Sequence, residues 1–323
     1  MLEPQIAAFI DEAVAVYPAH TTALSPPEQR ALYDRYAATL TPALPDVLTV
    51  RDAGYTTRAG HALRLRLYRH RARGDQAAHG AVLYFHGGGF VLGSLDSHQL
   101  VTARIAADTG LDVIAVDYRL APEHPAPAAH DDCLDVTLAA LERQLPFNSS
   151  SGATLQLAGD SAGATLAASV ALRLRDEGVE GVRGIALVYP MLGTDPQPPA
   201  RDTEAHAPML TLRDVHAFRD LYWGAQRPYP AWTIPLEASR YDNLPPTLAI
   251  GAEHDPLRDD ARVFVERIQA AGGDARLWIG TGLVHGCWRA LASSPGVRTM
   301  HRQVCDFLAA HAAPVFDTAR REA

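Results

Sequence analysis

Apolar residues along the chain gather into eight short runs between residues 47 and 280. In the first two, 48–51 and 63–68, apolar and polar positions alternate, with the glycine-containing stretch 52–62 between them. That period of two predicts an antiparallel strand pair with one face in water. The other six runs, 81–85, 113–116, 155–158, 185–189, 247–251 and 275–279, are largely apolar on successive positions and rich in β-branched residues. Strands of that kind are covered on both faces, as in a parallel sheet. Between them the apolar spacing switches to the helical period at 98–109, 129–145, 162–177, 257–271 and 297–311. Gly110, Gly178 and Gly272 each follow one of these stretches, where a left-handed C-terminal cap is wanted. Strands alternating with helices predict an α/β fold, a mostly parallel sheet with helices on both faces.

Two segments break the rhythm. Residues 1–45 hold two amphipathic helical patterns, 3–16 and 27–40, ahead of the first strand. Residues 192–232 form a long excursion between strands, opened by Pro196, Pro198 and Pro199 and containing a helical pattern at 212–223. A connection that long inside a compact domain is usually functional, often a lid. The two segments are expected to form one cap.

Composition narrows the chemistry. The chain has 323 residues, 47% of them hydrophobic, enough for a sizeable core. All 29 basic residues are arginine, set against 37 acidic ones, for a net charge of −8. Without lysine there is no P-loop lysine, no Schiff base and no lysine general base. The acidic balance argues against nucleic acid and anionic membrane as partners. Cys133, Cys287 and Cys305 are odd in number and far apart, so neither a disulfide framework nor a zinc knuckle is expected. They point to a reducing compartment. The first twenty residues lack a basic n-region, and no apolar run reaches the roughly 18 residues of a membrane span. A soluble, cytoplasmic protein is the expectation.

Candidate chemistry begins at Gly159-Asp160-Ser161-Ala162-Gly163, between the run 155–158 and the helix expected from 162. At a strand-to-helix junction this pentapeptide reads as a strained turn that lifts the Ser161 hydroxyl above the sheet edge, with the glycines permitting the turn. Elsewhere it reads as an ordinary capping serine. Directly after the run 81–85 stands His86-Gly87-Gly88-Gly89-Phe90. Exposed N–H groups on three successive glycines suit an oxyanion, with the N–H of Ala162 completing the hole. His86 is expected to brace the glycine loop. The serine needs a base and the base an orienting carboxylate, in the chain order serine, acid, histidine. Asp255 and His285 follow the runs ending at Gly251 and near Gly280, at the strand ends where open α/β sheets place their sites. Asp259 and Asp260 read as complements to a helix N-terminus, and His254 as a solvated loop residue.

Together with Asp117-Tyr118-Arg119-Leu120-Ala121-Pro122-Glu123-His124-Pro125, these motifs resemble the hormone-sensitive-lipase family of bacterial carboxylesterases, over about residues 45–310. The resemblance implies an α/β-hydrolase fold with a mostly parallel eight-stranded sheet flanked by helices and a helical cap. Residues 1–45 would be the N-terminal cap helices, and 46–323 the catalytic domain with a cap insertion at about 192–232. It implies Ser161, Asp255 and His285 as the catalytic triad, Gly88, Gly89 and Ala162 as oxyanion-hole donors, and neither metal nor organic cofactor. Two departures stand out. Ala164-Thr165 replaces the family's glycine after the serine motif, which touches packing. Cys287-Trp288 replaces an aromatic after His-Gly, which is expected to widen one wall of the acyl pocket.

The expected function is a serine carboxylesterase acting on short-to-medium acyl esters through an acyl-enzyme on Ser161. Its partner is a small-molecule ester, and a homodimer is left open. A catalytically silent small-molecule receptor on the same scaffold is the reading from another class. Hydrolysis of an amide, formamide or acetylated sugar keeps the chemistry and changes the substrate. Phe90, Met209, Leu212, Phe218, Tyr222, Trp223 and Trp288 are the apolar candidates to line the pocket.

Overall fold

The computed structural model describes residues 1–18, 21–73, 80–147, 154–224 and 228–312. Positions 19–20 of the expected cap, 225–227 of the expected insertion and 313–323 of the main domain lie outside the described residues. Two helices, α1 (Pro4–Val16) and α2 (Pro26–Leu40), precede the antiparallel strands β1 (Leu48–Thr56) and β2 (Ala62–His70). Then follow β3 (Gly80–Phe85), α3 (Gln99–Thr109), β4 (Asp112–Asp117), α4 (Ala128–Leu141), β5 (Thr154–Asp160), α5 (Ala162–Asp176) and β6 (Val182–Val188). The excursion carries α6 (Ala200–Thr203) and α7 (Leu212–Trp223), and the chain returns through β7 (Thr247–His254), α8 (Arg258–Ala270), β8 (Ala275–Val284) and α9 (Pro295–Ala310).

Among the described residues the strands form one sheet in the order β1-β2-β4-β3-β5-β6-β7-β8. Strands β3 to β8 are parallel, and β2 joins β4 antiparallel. The period of two divides each strand between two cores. Leu83, Phe85, Ile114 and Val116 face a layer built with α4, α5 and α8. Val82, Tyr84, Val113 and Ala115 face the layer of α3 and α9. With both faces covered, nearly every central strand position is apolar.

The first two strands run longer than their apolar content predicts. In register, Asp52 lies opposite Arg66, whose guanidinium holds that carboxylate through two bonds and also reaches Asp96. Cross-strand ion pairs thus extend a ladder that composition alone reads as turn. Helix α4 ends four residues before its expected end. Gly110, Gly178 and Gly272 all have positive φ just past α3, α5 and α8, as the capping pattern requires. No helix among the described residues is long and apolar enough to cross a membrane.

The segments outside the sheet are tied to it at named points. Helix α1 buries Ile6, Phe9 and Ala13, and the Glu3 carboxylate accepts the Gly296 N–H while the Glu3 N–H donates to the Gly282 carbonyl. Helix α2 starts with Ser25 and Glu28 in a capping box, two prolines opening its first turn. Its Arg30 donates to the carbonyls of Val91 and Ala121 and pairs with Glu123. Helix α7 opens with a second capping box, Thr211 and Asp214, and Asp214 also accepts the Thr22 hydroxyl.

Candidate active site

The nucleophile turn is built by exclusion of side chains. Ser161 is the residue with φ of 52°, a strained value for an L-residue, and its N–H donates to the Val188 carbonyl. Gly159 and Gly163 were expected to supply the turn's conformational freedom, yet neither has positive φ. They are small because the backbone leaves no room. A Cβ on Gly159 would collide with the Gly163 and Phe85 backbones, and one on Gly163 would overlap the Phe85 carbonyl oxygen. The glycines let β5, the start of α5 and the end of β3 close on one another, and the serine takes the strain.

His285 follows β8 and Asp255 follows β7, so both project from strand carboxyl ends next to the Ser161 turn. The Ser161 hydroxyl lies 2.9 Å from His285 Nε2, and His285 Nδ1 lies 2.7 Å from Asp255 Oδ2. Asp255 is wholly buried, and its Oδ1 accepts the Leu257 N–H at 2.8 Å. With a carboxylate as its neighbour, Nδ1 carries the proton, which leaves Nε2 free to accept from the serine. The three residues singled out from chain order lie in one hydrogen-bonded row.

Gly88 and Gly89 occupy positive φ in the loop after β3, and their N–H groups make no hydrogen bond among the described residues. Ala162 is the first residue of α5, where an N–H has no partner within the helix. All three border the same cavity as Ser161 and His285. Phe218 of α7 packs so closely on Gly89 that a Cβ there would strike its ring. The excursion therefore touches the glycine loop directly.

A buried charge holds this loop to the serine turn, and sequence reading passed over it. Asp160 Oδ1 accepts the Tyr84 hydroxyl at 2.6 Å and the Gly87 N–H at 3.0 Å, and His98 Nε2 lies 3.6 Å from Oδ2. Burial pushes the Asp160 pKa up, but His98, the Tyr84 hydrogen bond and Arg289 outweigh it and hold the carboxyl at about 2. His86 braces the loop as expected. Its ring stacks on Tyr118 and His98, and burial drives its pKa down to about 3, so it stays neutral. Because the Asp160 pKa lies below the ordinary aspartate value near 3.9, its contribution to stability is full above that value. It is lost as pH falls toward 2. Asp160→Asn is expected to cost about 2–3 kcal/mol at pH 7, with the gap to wild type narrowing at pH 3. Urea unfolding of both proteins at the two pH values measures this; a gap independent of pH would refute the charge-based account.

Several side chains lie elsewhere than expected. Phe90, Met209, Leu212 and Phe218 border the cavity, but Tyr222, Trp223 and Trp288 do not. Tyr222 stacks on Phe90 behind the wall, Trp223 donates to Thr233, and Trp288 packs on Tyr84. Cys287 is fully buried away from the cavity, so its small side chain widens no pocket wall. Asp259 and Asp260 do sit in the first turn of α8, yet they do more than complement its dipole. Asp260 accepts the N–H groups of Leu192, Gly193 and Gln197, and Asp259 that of Ala200. They hold down the start of the excursion. His254 ends β7 half-buried beside Glu204, not in a solvated loop. Reading missed Tyr17, Tyr33, Tyr36, Tyr189 and Arg289 on the cavity wall.

Asp108, His301 and Cys305 bring three potential metal ligands within 4.8 Å of one another. Trp288 Nε1–H donates to His301 Nδ1, so the proton on His301 sits at Nε2, bonded to Asp108. Burial also pushes the Cys305 thiol up to about 12. With the Trp288 N–H on Nδ1, Nε2 carries the proton and has no lone pair for a metal, and the cluster reads as an anchor for the loop after His285.

A family model described as the α/β-hydrolase fold matches residues 82–289. The chain is 40% identical to the esterase LipI of Mycobacterium tuberculosis over 215 residues, 66% of this chain and 67% of that protein. It is 32% identical to an ethyl acetate hydrolase of Pseudomonas putida over 293 residues, 88% and 91% of the two chains. A solved hyperthermophilic esterase from the archaeon Pyrobaculum calidifontis matches with a TM-score of 0.87 at 30% identity, over 96% of this chain and 98% of that one. The chain belongs to the α/β-hydrolase family, among the carboxylesterases related to hormone-sensitive lipase.

Proposed function

We propose that the protein is a serine carboxylesterase that hydrolyses short-to-medium acyl esters through an acyl-enzyme on Ser161. One observation carries the reading: the continuous row from the Ser161 hydroxyl through His285 to buried Asp255, opening on a cavity of about 960 Å³. His285 Nε2 takes the serine proton as Oγ attacks the ester carbonyl, and Asp255 holds the imidazole in the required tautomer. The N–H groups of Gly88, Gly89 and Ala162 receive the oxyanion, each worth about 3 kcal/mol in the transition state. His285 then protonates the leaving alcohol, and water repeats the sequence on the acyl-enzyme. Residues 1–45 and 192–232 act as the cap, a role supported by their side chains on the cavity wall, among them Val14, Tyr36, Met209 and Phe218. Three buried, unpaired cysteines support a reducing, cytoplasmic setting.

An organophosphate followed by peptide mapping tests the nucleophile. The adduct is expected on Ser161, and no adduct with no burst of alcohol would favour a silent receptor. Across p-nitrophenyl esters of graded length, kcat/KM is expected to rise by up to about fourfold per methylene and then fall steeply for long chains, where the cap wall is met. A profile that keeps rising through long acyl chains would overturn size selection by the cap.

A further inference from the structure

On the cavity wall stands a guanidinium with no carboxylate beside it. Arg289 lies four residues after His285, half-buried and bordering the cavity. One terminal nitrogen donates to the Ser97 carbonyl at 2.7 Å and the other to the Tyr33 hydroxyl at 2.9 Å. Its plane also lies against the rings of Tyr33 and Tyr36, at 5.1 and 5.5 Å. Among the described residues no acid pairs with it. Asp160 and Asp34 lie within its electrostatic reach, but the Asp160 oxygens are taken by Tyr84, Gly87 and His98, and Asp34 meets Ser94. A guanidinium has five donors, and two neutral acceptors leave most of them unmatched. A half-buried cation without an anion keeps donors to spare for a ligand in the cavity.

Beside it is an independent vacancy in the hydrogen-bond pattern. The Tyr36 hydroxyl is buried, with the residue only 3% exposed, and has no partner although Tyr36 borders the cavity. Burial raises its pKa, so it remains a donor at neutral pH. The Arg289 guanidinium and the Tyr33 hydroxyl on one cavity wall are donors for a carboxylate, while the Tyr36 hydroxyl is closed off from the cavity and its ring packs on the guanidinium.

We propose that Arg289, with the Tyr33 hydroxyl, is a specificity site selecting esters that carry a second, ionised carboxylate away from the scissile bond. This rests on the esterase reading and names its substrate class. A brace between cap and core would need the arginine too, but would serve neutral and anionic esters equally.

The test uses two matched pairs followed by acid release at constant pH: monoethyl adipate against ethyl hexanoate, with the charge on the acyl side, and 4-acetoxybutyrate against butyl acetate, with it on the alcohol side. In at least one pair the wild type is expected to process the anionic member at least as well as the neutral one. There Arg289→Gln should lower kcat/KM for the anionic ester by about 10- to 100-fold more than for the neutral ester. Calorimetric binding of the anionic esters to Ser161→Ala, with and without Arg289→Gln, reads the site without turnover. Refusal of the anionic member in both pairs, or an equal loss on both members, overturns the proposal. Absence of hydrolysis of all four esters, with Arg289-dependent binding intact, overturns the esterase reading and leaves the anion site standing.

Discussion

Replacing Ser161 with alanine is expected to lower kcat on any ester substrate by roughly 10⁶-fold and to leave the fold unchanged. The hydroxyl's one side-chain hydrogen bond is to His285 Nε2, so its loss opens no cavity and strands no other buried donor. The strained φ at 161 is kept by the close backbone packing at Gly159 and Gly163, which the substitution does not touch. Steady-state assays and unfolding midpoints measured together check this. Activity above about 1% of wild type, or covalent labelling at Ser94 or Ser97 instead, would sink the assignment. Ser94 and Ser97 hydrogen-bond each other, away from the row through His285.

Asp255→Asn is expected to lower kcat by about 10⁴-fold with little change in KM. The reason lies in the second oxygen. Because the Leu257 N–H must be accepted at the Oδ1 position, the amide oxygen goes there and the NH₂ group falls where Oδ2 now faces His285 Nδ1. A donor in that place turns Nδ1 into an acceptor and moves the imidazole proton to Nε2, the nitrogen that must receive the serine proton. The geometry stays and the tautomer is wrong. Asp259→Asn serves as the contrast: its carboxylate holds Ala200 in the excursion, so its loss should appear in stability before kcat. Equal damage to kcat from both variants would refute the assignment of Asp255.

The elements that sequence reading found most easily are those whose causes are local. Parallel strands announce themselves because both faces are buried, and Gly110, Gly178 and Gly272 mark helix ends because a left-handed cap needs them. Ser161, Asp255 and His285 were separable from other serines, acids and histidines by their place after successive strands, a rule of topology. What escaped depends on partners distant in the chain. Asp260 looks like a first-turn acid from its neighbours, whereas its carboxylate receives backbone N–H groups 63 to 68 positions away. Tyr222 and Trp223 share a helix with Phe218, and spacing alone does not say which side meets the cavity and which the core. Arg289 carries no local mark at all; what makes it notable is that, among the described residues, no carboxylate is bonded to it.

The bond from the Gly296 N–H to the Glu3 carboxylate joins residues 293 positions apart. Its consequence falls on synthesis. Helix α1 packs on α2 and leaves the ribosome long before β8 and the turn Cys287–Ala290, its other partners. Through most of translation its apolar face is covered only in part, a state open to aggregation or to capture by a chaperone. Docking of α1 beside the cavity is then a late event, delayed until the strand that precedes His285 has been made.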